Sequence, residues 1–136
     1  MQIQQIKDIG IITNNLDSSR DFYVRHLGFE AVYASPKYVH LKNGPLELGV
    51  MAATAELPAM PSNGVWLSVE VADVDVEYNR LKAAGLPTDA EPKDQPWGER
   101  AFVVRDPNGF GVNISKTIPV DDEFMWSSNQ LTHASS

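Results

Sequence analysis

Residues 64–86 read "GVWLSVEVADVDVEYNRLKAAGL", and within them the periodicity changes once. Val65, Leu67, Val69 and Val71 alternate with Trp66, Ser68 and Glu70, the two-residue period of a half-buried strand. Asp73 then stands where a side-chain acceptor caps a helix, and Gly85 where a residue tolerant of positive φ ends one. The pattern predicts a strand followed by a helix. The same order occurs earlier in the chain. "IQQIKDIGIIT" (3–13) alternates as a strand, and "NNLDSSRDFYVRHLGF" (14–29) reads as a helix with Asn15 as N-cap, Leu16, Phe22, Tyr23 and Leu27 on its apolar side, and Gly28 as the stop.

Three short strands follow each helix. In the first half they are "FEAVYA", "KYVHLK" and "PLELGVM", broken at Ser35-Pro36 and Asn43-Gly44-Pro45; in the second they are "PTDAEPKD", "ERAFVVRD" and "FGVNIS". Asp106-Pro107-Asn108-Gly109 is a strong turn signal, with Pro presetting φ and Gly accepting a positive one. The expected fold is α+β: two βαβββ modules, an internal duplication of a unit of roughly sixty residues. Residues 1–51 form the first module, 52–63 a linker with two prolines and no clean period, and 64–115 the second. Residues 116–136 form an acidic and then Ser-rich tail, expected to be partly disordered, in which Phe124, Met125 and Trp126 have the chemistry to dock on the body or on a partner.

The 136 residues suffice for a core without a disulfide or structural metal. There is no cysteine, which removes zinc-thiolate sites, redox pairs and thiol nucleophiles together and fits a reducing compartment. No apolar run is long enough to span a bilayer, and the first ten residues lack a signal peptide's basic and apolar regions, so a soluble cytoplasmic protein is expected. A net charge of −7 and a pI near 4.8, with Lys and Arg scattered, oppose nucleic acid and anionic membranes as partners.

Alternation in the strands that open and close each half separates two faces. One carries Ile9, Ile11, Leu46, Leu48, Val50, Leu67, Val69, Val71, Val112 and Ile114 and is expected to pack under the helices. The other carries Asp8, Gly10, Ile12, Glu47, Gly49, Met51, Trp66, Ser68, Glu70, Gly111, Asn113 and Ser115. Its glycines leave room, and its polar groups and one indole suit the lining of a cup.

The stretches "DIGIITNNLDSSRDFYVRHLGFE", "LELGVM", "GVWLSVEVADVDVEYNRLKAAGL" and "QPWGERAFVVRDPNGFGVNI", with FY-x(3)-LGF and W-G-x-R-x(5)-D-P-N-G in order, resemble the vicinal oxygen chelate superfamily of glyoxalases, extradiol dioxygenases and bleomycin-resistance proteins. The resemblance runs from Ile6 to about Ser115. It implies two modules pairing curved mixed sheets around a cup, often completed in a homodimer. It also implies that a metalloenzyme relative would hold a divalent ion from the first and fourth strands of each module, which here carry Asp8, Glu47, Trp66 and Asn113. Tryptophan is no ligand of this kind, and an asparagine carbonyl is a weak neutral one. The expectation is therefore no metal and no cofactor; if a metal is present, its ligands are Asp8, Glu47 and Asn113, a set suited to Mg²⁺ or Ca²⁺ rather than Fe(II), Ni(II) or Zn(II).

The expected function is binding or sequestration of a small aromatic or amphipathic molecule, as in the antibiotic-resistance relatives. Trp66 and Trp97 would stack on it, Asn113, Glu47 and Asp8 would make polar contacts, and Met51 would form an apolar wall. Each residue has a plainer alternative. Trp66 can simply fill space, Trp97 can be a satellite core contact, Met51 ordinary packing, and Asp8 and Glu47 solvated or Arg-paired acids rather than a general acid–base pair. Arg100 and Arg105 can be salt-bridge partners, His40 can face the cup or the edge, His26 lies on the helix and His133 in the tail. The alternative function is a metal-dependent lyase, isomerase or dioxygenase, and a third possibility is metal-independent acid–base catalysis by Asp8 or Glu47.

Overall fold

The computed structural model describes residues 1–62 and 64–120. The linker position Asn63 and the tail residues Phe124, Met125, Trp126 and His133 lie outside the described residues. The elements are β1 (Ile9–Thr13), α1 (Leu16–Asp21) running into a π-helical turn (Phe22–His26), β2 (Glu30–Ala34), β3 (Tyr38–Asn43) and β4 (Leu46–Ala52). Then come β5 (Trp66–Glu70), α2 (Val74–Ala83), β6 (Lys93–Gln95), β7 (Glu99–Arg105) and β8 (Gly111–Thr117). One mixed sheet has the order β1-β4-β3-β2 and the other β5-β8-β7-β6. The two orders are the same topology written twice, and the chain is an α+β protein of two βαβββ modules. It divides into two compact units, Met1–Gly64 with Asp106–Phe110, and Val65–Arg105 with the chain from Gly111 on.

In each unit the opening strand pairs in parallel with the closing one. Ile9 and Ile11 stand beside Leu48 and Val50, and Leu67 and Val69 beside Val112 and Ile114. Ile11, Leu48, Val50, Leu67, Val112 and Ile114 are buried, whereas Ile9, Leu46, Val69 and Val71 near the sheet ends are half-buried. Asn15 and Asp73 are the N-caps, accepting from the backbone N–H of Ser18 at 3.0 Å and of Val76 at 3.1 Å. Gly85, at φ +80°, ends α2 with its own N–H on the Lys82 carbonyl and the Leu86 N–H on the Leu81 carbonyl.

Three local expectations are corrected. The first strand begins at Ile9 rather than near Ile3, and Ile3, Ile6 and Asp8 are exposed. Its partner β4 starts only at Leu46, and continued pairing would set Asp8 opposite Glu47, two like charges face to face. The first helix is not α-helical throughout: one π turn takes over at Phe22 and brings Phe22 and Tyr23 inward together, with ring centroids 4.9 Å apart. "PTDAEPKD" is not a continuous strand. Pro87 and Pro92 have no N–H to donate, so Thr88 makes one isolated bridge to Val104 and β6 is confined to Lys93–Gln95.

The Asp-Pro-Asn-Gly turn, late in sequence, packs in the first unit. Asp106 Oδ1 accepts the backbone N–H groups of Asn108 and Phe110 at 2.8 and 2.9 Å, while Oδ2 accepts the hydroxyl of Tyr23 at 2.8 Å. The side chain of Asn108 accepts from Thr13 at 2.6 Å and donates to Ser19 at 3.0 Å. These motif residues therefore anchor the start of the first helix.

Candidate functional site

On the first sheet, the face opposite the core follows from register. Gly10 stands beside Gly49 and Ile12 beside Met51; across β3 and β4, Tyr38 pairs with Met51, His40 with Gly49 and Lys42 with Glu47. His40 is thus one diagonal from Glu47, and its Nε2 lies 2.8 Å from Glu47 Oε1 while Nδ1 lies 2.8 Å from the hydroxyl of Tyr38. An ionised carboxylate only accepts, so Nε2–H donates to Glu47 and the Tyr38 O–H donates to Nδ1. The His40 bond chiefly holds the Glu47 carboxyl below its ordinary range, with lesser help from the charges of Lys42 and Lys7. Burial, then the negative charges of Asp8 and Glu47, push the Tyr38 phenol up.

The room left by Gly49 is filled. A Cβ there would stand 2.6 Å from the Tyr38 hydroxyl oxygen and 3.2 Å from its ring, so the glycine lets Tyr38 lie across the strand and reach His40. Gly10 has nothing within 4 Å of such a Cβ. Tyr38 is the site residue that sequence reasoning missed on this sheet, and His40, which the sequence left between cup and edge, stands on the polar face. The findable signal was the hairpin turn at Asn43-Gly44, which sets Asn43 opposite Leu46 and so His40 opposite Gly49.

On the second sheet, Trp66, Ser68 and Glu70 stand beside Gly111, Asn113 and Ser115, and β7 contributes Val103 opposite Asn113, Ala101 opposite Ser115 and Glu99 opposite Thr117. Asn113 is 7% exposed, whereas Trp66 and Trp97 are 68% and 51% exposed. The carboxylate of Glu99 leans along the face between Trp97 and Asn113. It accepts the indole N–H of Trp97 at 3.1 Å and meets the Asn113 amide nitrogen at 3.4 Å from each oxygen. Asn113 also donates to Ser68 Oγ at 3.2 Å. Trp97 and Asn113 are joined through Glu99, a residue that sequence reasoning did not single out although it follows Trp97 by two positions.

Trp66 lies one strand repeat, about 7 Å, along the face from the Asn113 row. Beneath it, a Cβ on Gly111 would stand 2.9 Å from Arg105 Nη1 and 3.4 Å from the Trp66 Cβ, so the absent side chain admits the guanidinium beside the indole. Arg105 is bidentate on Asp89, at 3.0 and 2.6 Å, which lowers the pKa of Asp89 and raises that of Arg105. On the other side of β7, Arg100 ties Asp75 of α2 to Asp94 of β6. At the far end of the polar face, Glu70 accepts the Thr117 N–H at 2.9 Å and hydroxyl at 2.6 Å, and these two bonds keep its carboxyl low. Asp8 precedes the first strand, and Glu47 and Met51 lie on β4 of the first sheet.

The donors at the family's four ligand positions do not fit a divalent ion. Asp8 is off the strand and exposed, Glu47 is engaged by His40, Trp66 offers only an N–H, and the Asn113 nitrogen donates to Ser68 and approaches Glu99. Among the described residues, no group of three or more His, Asp or Glu is placed to hold a metal ion. No described helix is long and apolar enough to cross a membrane.

The sequence profile of the Glyoxalase/Bleomycin resistance protein/Dioxygenase superfamily matches residues 5–114, and the chain belongs to this superfamily. No curated protein sequence matches it significantly. Among solved structures, a glyoxalase/bleomycin resistance protein/dioxygenase from Nocardioides is 24% identical with a TM-score of 0.75, over 87% of this chain and 86% of that one. TnmS3, an antibiotic-binding protein from Streptomyces sp. CB03234, is 23% identical with a TM-score of 0.70, over 86% and 98%. A lactoylglutathione lyase from Agrobacterium tumefaciens is 24% identical with a TM-score of 0.68, over 85% and 95%. At these identities the likeness establishes the shared fold.

Proposed function

We propose that the chain binds and sequesters a small aromatic or amphipathic molecule on the polar face of its second sheet, without a metal. The observation that carries this is Trp66, a large flat side chain left exposed at a family ligand position, one strand repeat along the face from the buried amide of Asn113. Burying an exposed indole against a planar guest gains its area plus roughly 0.5–1.5 kcal/mol of ring stacking. The named activity of TnmS3 is consistent with such use of the fold, and an antibiotic-sequestering homodimer in the cytoplasm is its fullest form. Titration of uncharged planar tricyclic compounds such as acridine, followed by tryptophan fluorescence, tests the proposal. Saturable quenching weakened about tenfold or more in Trp66→Ala supports it; unchanged affinity in that variant overturns it.

The Tyr38–His40–Glu47 chain favours a second reading, proton-transfer catalysis of the lyase or isomerase kind on the first sheet, with His40, held by Glu47, acting as general base through Tyr38: the hydroxyl proton passes to His40 Nδ1 as the Tyr38 oxygen takes the substrate proton. It requires that His40→Ala abolish solvent-deuterium exchange into a carbonyl substrate while acridine binding persists. Exchange that survives in His40→Ala removes it.

A further inference from the structure

We infer that the guest of the second sheet carries a positive charge and that Glu99 is the residue that selects it; this rests on the aromatic-guest proposal above. Glu99 is half-buried, and its contacts are with neutral donors only: the indole of Trp97 and the amide of Asn113. The 3.4 Å amide contacts are long for a carboxylate, whose charge-assisted bonds from nitrogen usually lie near 2.7–2.9 Å. Among the described residues, no cation pairs with Glu99.

The surrounding acids differ. Asp75 and Asp94 share Arg100, Asp89 holds Arg105, Glu77 holds Arg80, and Glu70 is closed off by the two donors of Thr117. The basic residues of β7 are therefore paired with other carboxylates. Lys93, on the same face opposite Ala101, forms no ion pair with Glu99. A partly desolvated carboxylate without a counter-charge, held by the Trp97 indole N–H and the Asn113 amide, is a receptor for a cation. An ammonium or amidinium group on a planar guest would bond to Glu99 and meet the face of an indole as well. The net charge of −7 adds a long-range attraction for the same sign of ligand.

Three compounds with one ring system separate charge from stacking: 9-aminoacridine (cationic at neutral pH), acridine (neutral) and acridine-9-carboxylate (anionic), titrated calorimetrically into the full chain. The expected order is cation, neutral, anion, with the cation about tenfold or more tighter than acridine, the range of one hydrogen bond to a charged group. In Glu99→Gln the cation and acridine should bind with equal affinity, and Glu99→Asp should restore part of the preference, both with wild-type circular dichroism. Equal affinity for the three compounds, or an undiminished preference in Glu99→Gln, overturns the inference. If those equal affinities still fall in Trp66→Ala, the aromatic surface stands and only the selection by charge is lost; if Trp66→Ala leaves all three unchanged, both proposals fall.

Discussion

Replacing Tyr23 by Phe removes one hydroxyl from the middle of the first unit and tests whether the Asp-Pro-Asn-Gly signature is an anchor. Tyr23 is 0% and Asp106 4% exposed, so water cannot replace the lost bond without rearrangement. Asp106 Oδ1 keeps its two backbone donors, but Oδ2 loses the 2.8 Å hydroxyl and retains only the Asn108 amide at 3.3 Å. A buried hydrogen bond to a charged group is worth about 1.5–3 kcal/mol, and the ring itself stays, so a loss of about 2 kcal/mol is expected. For a chain of this size that corresponds to a midpoint lower by roughly 6–10 °C. Urea unfolding followed by circular dichroism should show the loss as a lower midpoint with unchanged slope. The alkaline limb gives an independent check. Burial first, and then the charge and hydrogen bond of Asp106, raise the Tyr23 phenol well above its ordinary value. The resulting stability is fully present below the unfolded pKa of about 10 and declines by about 1.4 kcal/mol per pH unit above it. Tyr23→Phe should lose that share of the decline. A variant within about 0.5 kcal/mol of wild type, with the same alkaline slope, would refute the anchoring role.

Gly49→Ala should destabilise by about 1–3 kcal/mol through overpacking against Tyr38, and Tyr38→Phe should partly rescue it because the atom met at 2.6 Å is the hydroxyl oxygen; a double-mutant cycle by urea unfolding reads that coupling, and simple additivity would contradict it. Glu47 has a depressed folded-state pKa, so its contribution is present above the unfolded value and lost as pH falls through the folded one. Glu47→Gln should therefore flatten the acid limb of stability against pH, and His40→Ala should do the same; superimposable limbs would show that the His40 bond does not set the Glu47 charge.

The strand-helix repeat was legible because each of its signals is local. Caps at Asn15 and Asp73, stops at Gly28 and Gly85 and the two-residue alternation beside them all act within a turn or a strand, and the faces they imply agree with the observed register. The candidate sites were less legible because their bonds cross strands. Reading only the opening and closing strands placed Glu47 and Asn113 on the polar faces but left β3 and β7 unassigned. Those middle strands supply His40 and Glu99, whose partners are diagonal or several residues along a neighbouring strand. The glycines misled for a related reason. An absent side chain signals room, but whether the room stays open, as at Gly10, or takes in Tyr38, as at Gly49, depends on a residue remote in sequence. The early start expected for the first strand failed because alternation in residues 3–8 cannot create a partner strand.

The most direct test of small-molecule binding at the second sheet is the ¹H–¹⁵N spectrum of the tryptophan indoles during titration with 9-aminoacridine. Trp97 donates its indole N–H to Glu99, and Trp66 stands exposed on the same sheet, so both assigned signals should shift together and saturate at one equivalent. Signals from Trp66 and Trp97 that stay in place while the compound binds elsewhere would contradict the assignment of this face as the binding site.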